Sequence, residues 1–305
     1  MSWFYVALIT PIVHAFVNHI DKYLLSKYLK GGSVGTLVLF SSLFSVIVLP
    51  FVVLYQPAVL SSVSIWQALL LISNGAILVV AILCYLYALE SDEASYIAPL
   101  FQLIPVFSLL LGYFFLGEVV SLLQFIAILI IILGGVLISL EFGSHKITIR
   151  KKAVFLMVGS SILYAVNLVV FKLVAGEQGF VTSLFWDLLG KVLFGIVLFI
   201  CVQQYRKDFL NLIQHNSGAV MTLNGFNEVL ALLGEASLIY AALLAPVAIV
   251  QSVSSTQPFF VFLIGLMLTI YFPKFSRETL NKNEIIQKGI ATVIIVFGAI
   301  LLNLY

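Results

Sequence analysis

Apolar runs, each about as long as a bilayer is thick, alternate with polar connections along nearly the whole chain. They cover roughly 3–20, 34–54, 65–89, 94–116, 121–140, 152–174, 180–203, 218–243, 246–271 and 286–304. A spanning helix takes about 20 mostly apolar residues, whereas a membrane strand takes about 9–11 in alternation. The runs therefore predict an all-α, polytopic membrane protein of ten transmembrane helices. Most connections are short, so neighbouring helices should be antiparallel. Only 204–217 and 272–285 leave room for more than a tight turn, and no connection holds a soluble domain. The first run, MSWFYVALITPIVHAFVN, has no basic stretch ahead of it and reads as the first span rather than a cleaved signal.

The pattern also repeats. Shifted by 153 residues, Asn74 falls on Asn227, Tyr87 on Tyr240, Ala88 on Ala241, Pro105 on Pro258, Phe107 on Phe260 and Gly112 on Gly265. Shifted by 164, residues 126–140 fall on 290–304 with 7 of 15 identical. At 150, Ala15 meets Ala165 and Lys22 meets Lys172. The polar loop FPKFSRETLNKNE absorbs the difference between the larger shifts. The expectation is two five-helix units, 1–145 and 146–305. Five crossings are odd, so the second unit enters from the opposite side, the inverted repeat common in secondary transporters.

Composition makes lipid the solvent. The hydrophobic share is 62% and the charged share 9%, against about 45–50% and about 25% in soluble domains. A net charge of +2 gives no reason to expect a nucleic-acid partner. Cys84 and Cys201 both lie in apolar runs, which excludes a disulfide framework or a cysteine metal cluster. Thirteen of the 15 basic residues sit in or beside the odd-numbered connections: Lys22, Lys27, Lys30, Lys146, Arg150, Lys151, Lys152, Arg206, Lys207, Lys274, Arg277, Lys282 and Lys288. By the positive-inside rule those connections face the cytoplasm and both termini lie outside. The acids Glu90, Asp92 and Glu93 share an odd loop but carry little weight in that rule.

Polar positions inside the runs are the candidates for function. In GFNEVLALLGEASL (225–238), Glu228 and Glu235 are seven residues apart. They lie within about 20° on one helix face and about 10 Å apart along it. Asn224 and Ala231 share the face and Asn227 flanks it. An acid at mid-membrane costs about 2.5–3.5 kcal/mol, so this face is expected to point into the bundle or a wet cavity. There a carboxylate can carry a proton or neutralise a cationic group; the structural alternative is a pair satisfied by neighbouring helices. Trp186, Asp187 and Lys191 lie in the seventh run. Asp187 and Lys191 are spaced to meet on their own helix, although Glu228 is a rival partner for the lysine.

The ninth run holds QSVSSTQP, with Gln251, Gln257 and the helix-breaking Pro258. The fourth has Pro99, Gln102 and Pro105 at matching places. Interrupted helices at corresponding positions of two halves point to a central site; ordinary helix–helix hydrogen bonding is the alternative. His14 and Asn18 in the first run parallel Tyr164 and Asn167 in the sixth. Gly117-Glu118 reads as a helix stop followed by a helix start. Gly134-Gly135 and Gly298-Ala299 are small pairs for close helix packing. No metal-ligand spacing, phosphate loop or nucleophile–base set is legible, so neither cofactor, metal nor enzymatic activity is expected.

The segment ALESDEASYIAPLFQLIPVFSLLLGYFFLGEVVSLLQFIAILIIILGGVLI (88–138) resembles the EamA domain of the drug/metabolite transporter superfamily. The matching marks are the Ala-Pro step before a second Pro, Phe-Leu-Gly-Glu (115–118), Gln124 and Gly134. Asn167 to Lys172 resembles the family's first-helix signature, and Asn18 to Lys22 is a looser copy one residue shorter. The second half lacks the Gly-Glu step. The resemblance implies ten helices and transport of metabolites, amino acids among them, out of cells, with nucleotide sugars carried in related branches. Its members are usually drawn with both termini in the cytoplasm; the loop charges of this chain say the reverse.

The expected function is thus a plasma-membrane secondary transporter, an exporter of small metabolites such as amino acids. It alternates access around a central polar cavity and is a candidate for proton coupling. The expected cavity residues are Glu228, Glu235, Asn227, Asn74, Trp186, Asp187, Tyr164, Asn167, His14, Asn18, Gln102, Gln251 and Gln257. A small-molecule substrate and membrane lipid are the expected partners, and the protein itself a monomer or weak homodimer. A lipid flippase of the same architecture is the alternative, with an intramembrane lipid-acting enzyme behind it.

Overall fold

The structure, a computed structural model, describes residues 2–27, 34–91, 98–139, 151–215, 218–271 and 282–304. The loop residues Lys30, Asp92, Glu93, Lys146, Arg150, Lys274 and Arg277 lie outside that set. Every regular element among the described residues is helical. In chain order the helices are α1 (Ser2–Lys27), α2 (Val34–Phe44), α3 (Val48–Tyr55), α4 (Ile65–Ser91), α5 (Leu103–Leu116), α6 (Leu122–Ser139), α7 (Lys151–Gln178), α8 (Phe180–Cys201), α9 (Gln203–His215), α10 (Gly218–Leu244), α11 (Val247–Ser254), α12 (Gln257–Tyr271) and α13 (Lys282–Leu304).

Among the described residues, eight segments are long and apolar enough to cross a membrane: Trp3–Asp21, Val34–Tyr55, Ile65–Ala88, Lys151–Gln178, Phe180–Cys201, Met221–Leu244, Val247–Tyr271 and Ile286–Leu304. Two shorter apolar helical stretches, Leu100–Leu116 and Leu122–Leu137, lie where the other two spans are expected. The first is shortened by a 3-10 turn, Ala98–Gln102, ahead of α5. Fourteen helical residues of α5 rise about 21 Å and the five of the turn about 10 Å, together close to the hydrocarbon thickness of about 30 Å.

Two features depart from the sequence pattern. Residues 203–215 are not an open connection but the helix α9, whose Tyr205 and Leu212 are buried while Lys207 and Gln214 are exposed. The first helix runs on to Lys27, so Asp21 belongs to it rather than to a loop. The break expected in the ninth run is present: α11 ends at Ser254 and α12 starts at Gln257. The 3-10 turn before α5 occupies the corresponding place one 153-residue shift earlier. The two breaks touch, because Gln102 Nε2 donates to the Ser255 carbonyl at 3.4 Å, and 102 and 255 differ by that same shift.

Helices α4 and α7 pack along each other, as do α1 and α10, and α6 pairs with α13. The last pair is close because Gly134 lies under Ile295 and Gly298 under Ile131. The main core gathers Leu71, Phe171, Leu168, Val250, Ile249 and Ala241 from four helices. Outside it, exposed apolar side chains such as Leu54, Phe114, Phe155, Ile200, Ile270 and Val293 face outward. In water such a surface would drive aggregation; in lipid it is the expected exterior.

A second arrangement gathers several connections at one end of the bundle. Gly117, with φ 64°, stops α5, and the Glu118 N–H closes the turn onto the Gly112 carbonyl at 3.1 Å, the geometry that glycine permits. Glu118 does not serve the next helix in sequence, as its position suggests. Its Oε2 accepts from the Val247 N–H (2.8 Å), at the start of α11 just after Pro246. Its Oε1 meets Lys172 Nζ at 2.6 Å, and the same ammonium donates to the Ala245 carbonyl at 2.7 Å. One carboxylate and one ammonium so tie α5, α7, α10 and α11 together.

A candidate substrate site between five helices

Helix α10 has two opposite faces. Phe226, Val229, Leu233 and Tyr240 form an exposed stripe, spaced to share one side of a 3.6-residue helix. Asn224, Asn227, Glu228, Ala231 and Glu235 lie on the other side, against α1, α2 and α8. Placing either carboxylate in lipid would cost several kcal/mol, and here both have protein partners.

Glu235 forms an ion pair with Lys191 of α8 at 2.8 Å, with the lysine 3% and the glutamate 20% exposed. This corrects the expectation that Lys191 pairs with Asp187 on its own helix. Asp187 instead accepts from Asn74 Nδ2 of α4 at 2.7 Å. The reason is the close approach of α4 and α8. A Cβ on Gly75 would lie 2.1 Å from the Asp187 carbonyl, and one on Gly190 would lie 2.1 Å from that of Ile72. Backbone meets backbone there, so the short Asp187 side chain reaches across to α4 while the longer Lys191 reaches α10. Asn167 of α7 donates to the Asn74 carbonyl at 3.1 Å, extending the chain of contacts to a fourth helix.

A second group sits seven residues, about two turns, away along α10. Asn227 Nδ2 donates to Asp21 Oδ1 of α1 at 2.6 Å, and the Ser41 hydroxyl of α2 bonds Glu228. The two groups are within electrostatic reach of each other, Glu228 with Lys191, Asp21 and Glu235. Between them α1 follows α10 closely. Thr10 donates to the Gly234 carbonyl at 3.0 Å, and His14 Nε2 to that of Ala231 at 3.4 Å. The His14 ring occupies the space that a side chain at position 234 would need. The carbonyl oxygens Oδ1 of Asn74 and Asn227, both buried, receive no hydrogen bond from the described residues.

The other expected residues divide. Tyr164 joins an aromatic cluster with Phe101 (6.4 Å between centroids), which also meets Tyr85 at 4.7 Å. Gln102 and Gln251 are buried at the helix breaks, Gln102 through its bond to Ser255; Gln257 is half-buried at the start of α12. Trp186 is a clamp rather than a lining group. Its Nε1 donates to the Val59 carbonyl at 3.0 Å, and Gln56 donates to Thr182 at 3.3 Å, holding the Pro57–Leu60 turn over the start of α8. Asn18 is exposed and does not parallel the buried Asn167. Asp21 and Ser41 were not anticipated. Asp21 abuts the basic loop and looks like a span boundary, and Ser41, one of three serines in an apolar run with Ser42 and Ser45, carries no signal that singles it out.

The family model of the EamA-like transporter family matches residues 1–140. No curated protein matches the chain. Among solved structures, one described only as "Crystal structure of protein" aligns over 97% of this chain and 96% of its own, with a TM-score of 0.68 at 15% identity. That likeness concerns the fold alone. The apolar helical bundle and the family match agree: residues 1–140 are similar to the EamA-like transporter family, whose members are membrane transporters, and the described residues form a multi-pass helical membrane protein.

Proposed function

We propose that the protein is a secondary transporter of small metabolites. In this reading ten spans form two inverted halves, 1–145 and 146–305, and cargo sits among α1, α2, α4, α8 and α10. The observation that carries it is the pair of acidic groups on α10, held inward by Lys191 and Ser41 yet only half-buried. Ionisable groups inside a membrane face cavities or partners and mark substrate or ion pathways.

A difference in packing supports alternating access. Under the 153-residue relation α10 corresponds to α4, and α2 to α8. Helices α4 and α8 are seated on each other through Gly75 and Gly190, while α2 and α10 make few contacts. One end is closed by the Trp186–Val59 and Glu118–Lys172 contacts. At the other end α9 lies over α2, with Leu212 against Leu24 and the Tyr205 hydroxyl against that of Tyr87. Exchanging which pair is seated would move the opening from one end to the other. In this reading the protein lies in the plasma membrane, and the loop charges favour the α9 end in the cytoplasm with both termini outside. Export is the expected direction.

Counterflow tests the reading. Proteoliposomes loaded with a mixture of unlabelled amino acids and amines should transiently accumulate the labelled solute that the protein carries, and Glu235→Gln should abolish the overshoot. A labelled solute that only equilibrates, with no overshoot for any cargo, would mean a pore or no transport, and the alternating-access reading would fail.

A further inference from the structure

The polar groups of this site are unbalanced in two independent ways. The first is charge. Asp21, Asp187, Glu228 and Glu235 converge from α1, α8 and α10. Among the described side chains one ammonium faces them, that of Lys191, committed to Glu235 at 2.8 Å. The imidazole of His14 is also near, turned to the Ala231 carbonyl. Asp21 and Asp187 are met by neutral amides, and Glu228 by a hydroxyl. Among the described residues none of these three forms an ion pair.

The second imbalance is in hydrogen bonding. Asn227 and Asn74, 2% and 0% exposed, each spend their amide N–H on a carboxylate and leave Oδ1 without a donor. These oxygens lie beside the acids, since an asparagine's two head atoms are neighbours. Buried acceptors of this kind are paired in nearly all native structures. While the carboxylates are ionised, the group that completes the site brings both hydrogen-bond donors and positive charge. A carboxylate or phosphate cargo would supply neither, and a neutral polar one would leave the charges standing.

Building on the transporter reading above, we propose that the site binds small organic cations carrying a primary ammonium, held between Asp21, Asn227 and Glu228. An ammonium has three donors and no acceptor, the complement of two carboxylates and an orphan amide oxygen. Lys191 shows the same chemistry inside the protein, its ammonium meeting Glu235 seven residues along the same face. The cargo reproduces that contact at the level of Glu228. The aliphatic or aromatic remainder of the cargo has the Tyr85–Phe101–Tyr164 cluster nearby to pack on.

The test is a charge series on the purified full-length protein in nanodiscs, read by calorimetry at fixed pH. Cadaverine, lysine, norleucine and glutamate have comparable length and differ in charge. A trimethylammonium analogue of cadaverine keeps the charge and removes the donors. Cadaverine and lysine should bind most tightly. Glu228→Gln and Asp21→Asn, each checked for unchanged elution and helicity, should weaken cadaverine about tenfold or more and norleucine little. The trimethylammonium analogue should bind more weakly than its parent. If norleucine or glutamate binds better than the amines, the ammonium proposal is overturned while the transporter reading stands. If amines bind but the counterflow overshoot is absent for every solute, the proposal stands and the transporter reading falls. If no organic probe binds, or both variants bind cadaverine as the parent does, the proposal is overturned.

Discussion

Lys191 shows how a residue's surroundings, rather than its own helix, decide what it does. An aspartate four positions earlier is the nearest acid in sequence, and a helical surface would pair the two. Inside the bundle Gly75 and Gly190 bring two backbones together, Asp187 is taken by Asn74, and the lysine crosses to Glu235. Taking either partner away strands an ion in low dielectric. Lys191→Met should therefore destabilise the protein by about 3 kcal/mol, and adding Glu235→Leu should restore much of the loss. Thermal melts in detergent check both, and additive losses would show that the two groups act independently. What could be read in advance was the face of α10: two acids seven residues apart can avoid lipid only by pointing inward together. Which group meets which was not legible, because the partners lie far off in sequence: Lys191 is 44 positions from Glu235, and Asp21 is 206 from Asn227 on the same face. Asn18 was assigned to the site by its likeness to Asn167, and its exposure shows that such a likeness specifies a position along a helix but not the side it faces.

At the scale of elements, the long apolar runs became helices as their composition demands, and the breaks at Gln102 and Ser255 were marked by prolines. The amphipathic α9 went unread because it lies between two spans, where a polar stretch suggests a loop. Its Tyr205 ring fills the space beside Gly35 of α2, and Phe209 meets Phe40 and Phe199. That helix is thus fastened to the bundle by aromatic contacts rather than by charge. The interface of α4 and α8 is the tightest of the functional contacts, since a methyl at Gly190 would meet the Ile72 backbone and not a movable side chain. Gly190→Ala is expected to cost about 1–3 kcal/mol and to separate the two helices. Spin labels at Glu90 of α4 and Ile200 of α8, both exposed, should lie farther apart in the alanine variant than in the parent. Equal distances would mean that α4 and α8 do not depend on those glycines to stay together.

For the whole molecule, the proposed transport requires that the apolar bundle admit water beside the acidic face of α10 and present lipid with the opposite face. The helix breaks and the unequal packing of α4–α8 and α2–α10 fit that arrangement. Thiol chemistry tests it most directly, because only a thiol that can ionise in water reacts with a charged methanethiosulfonate. With Cys84 and Cys201 replaced by serine, cysteine is placed at Ser41, beside Glu228, or at Leu233, on the exposed stripe. In reconstituted membranes with reagent on both sides, the cysteine at 41 should be modified and the one at 233 should stay unmodified. Modification at 233 with none at 41 would put water on the wrong face of the helix and contradict the account.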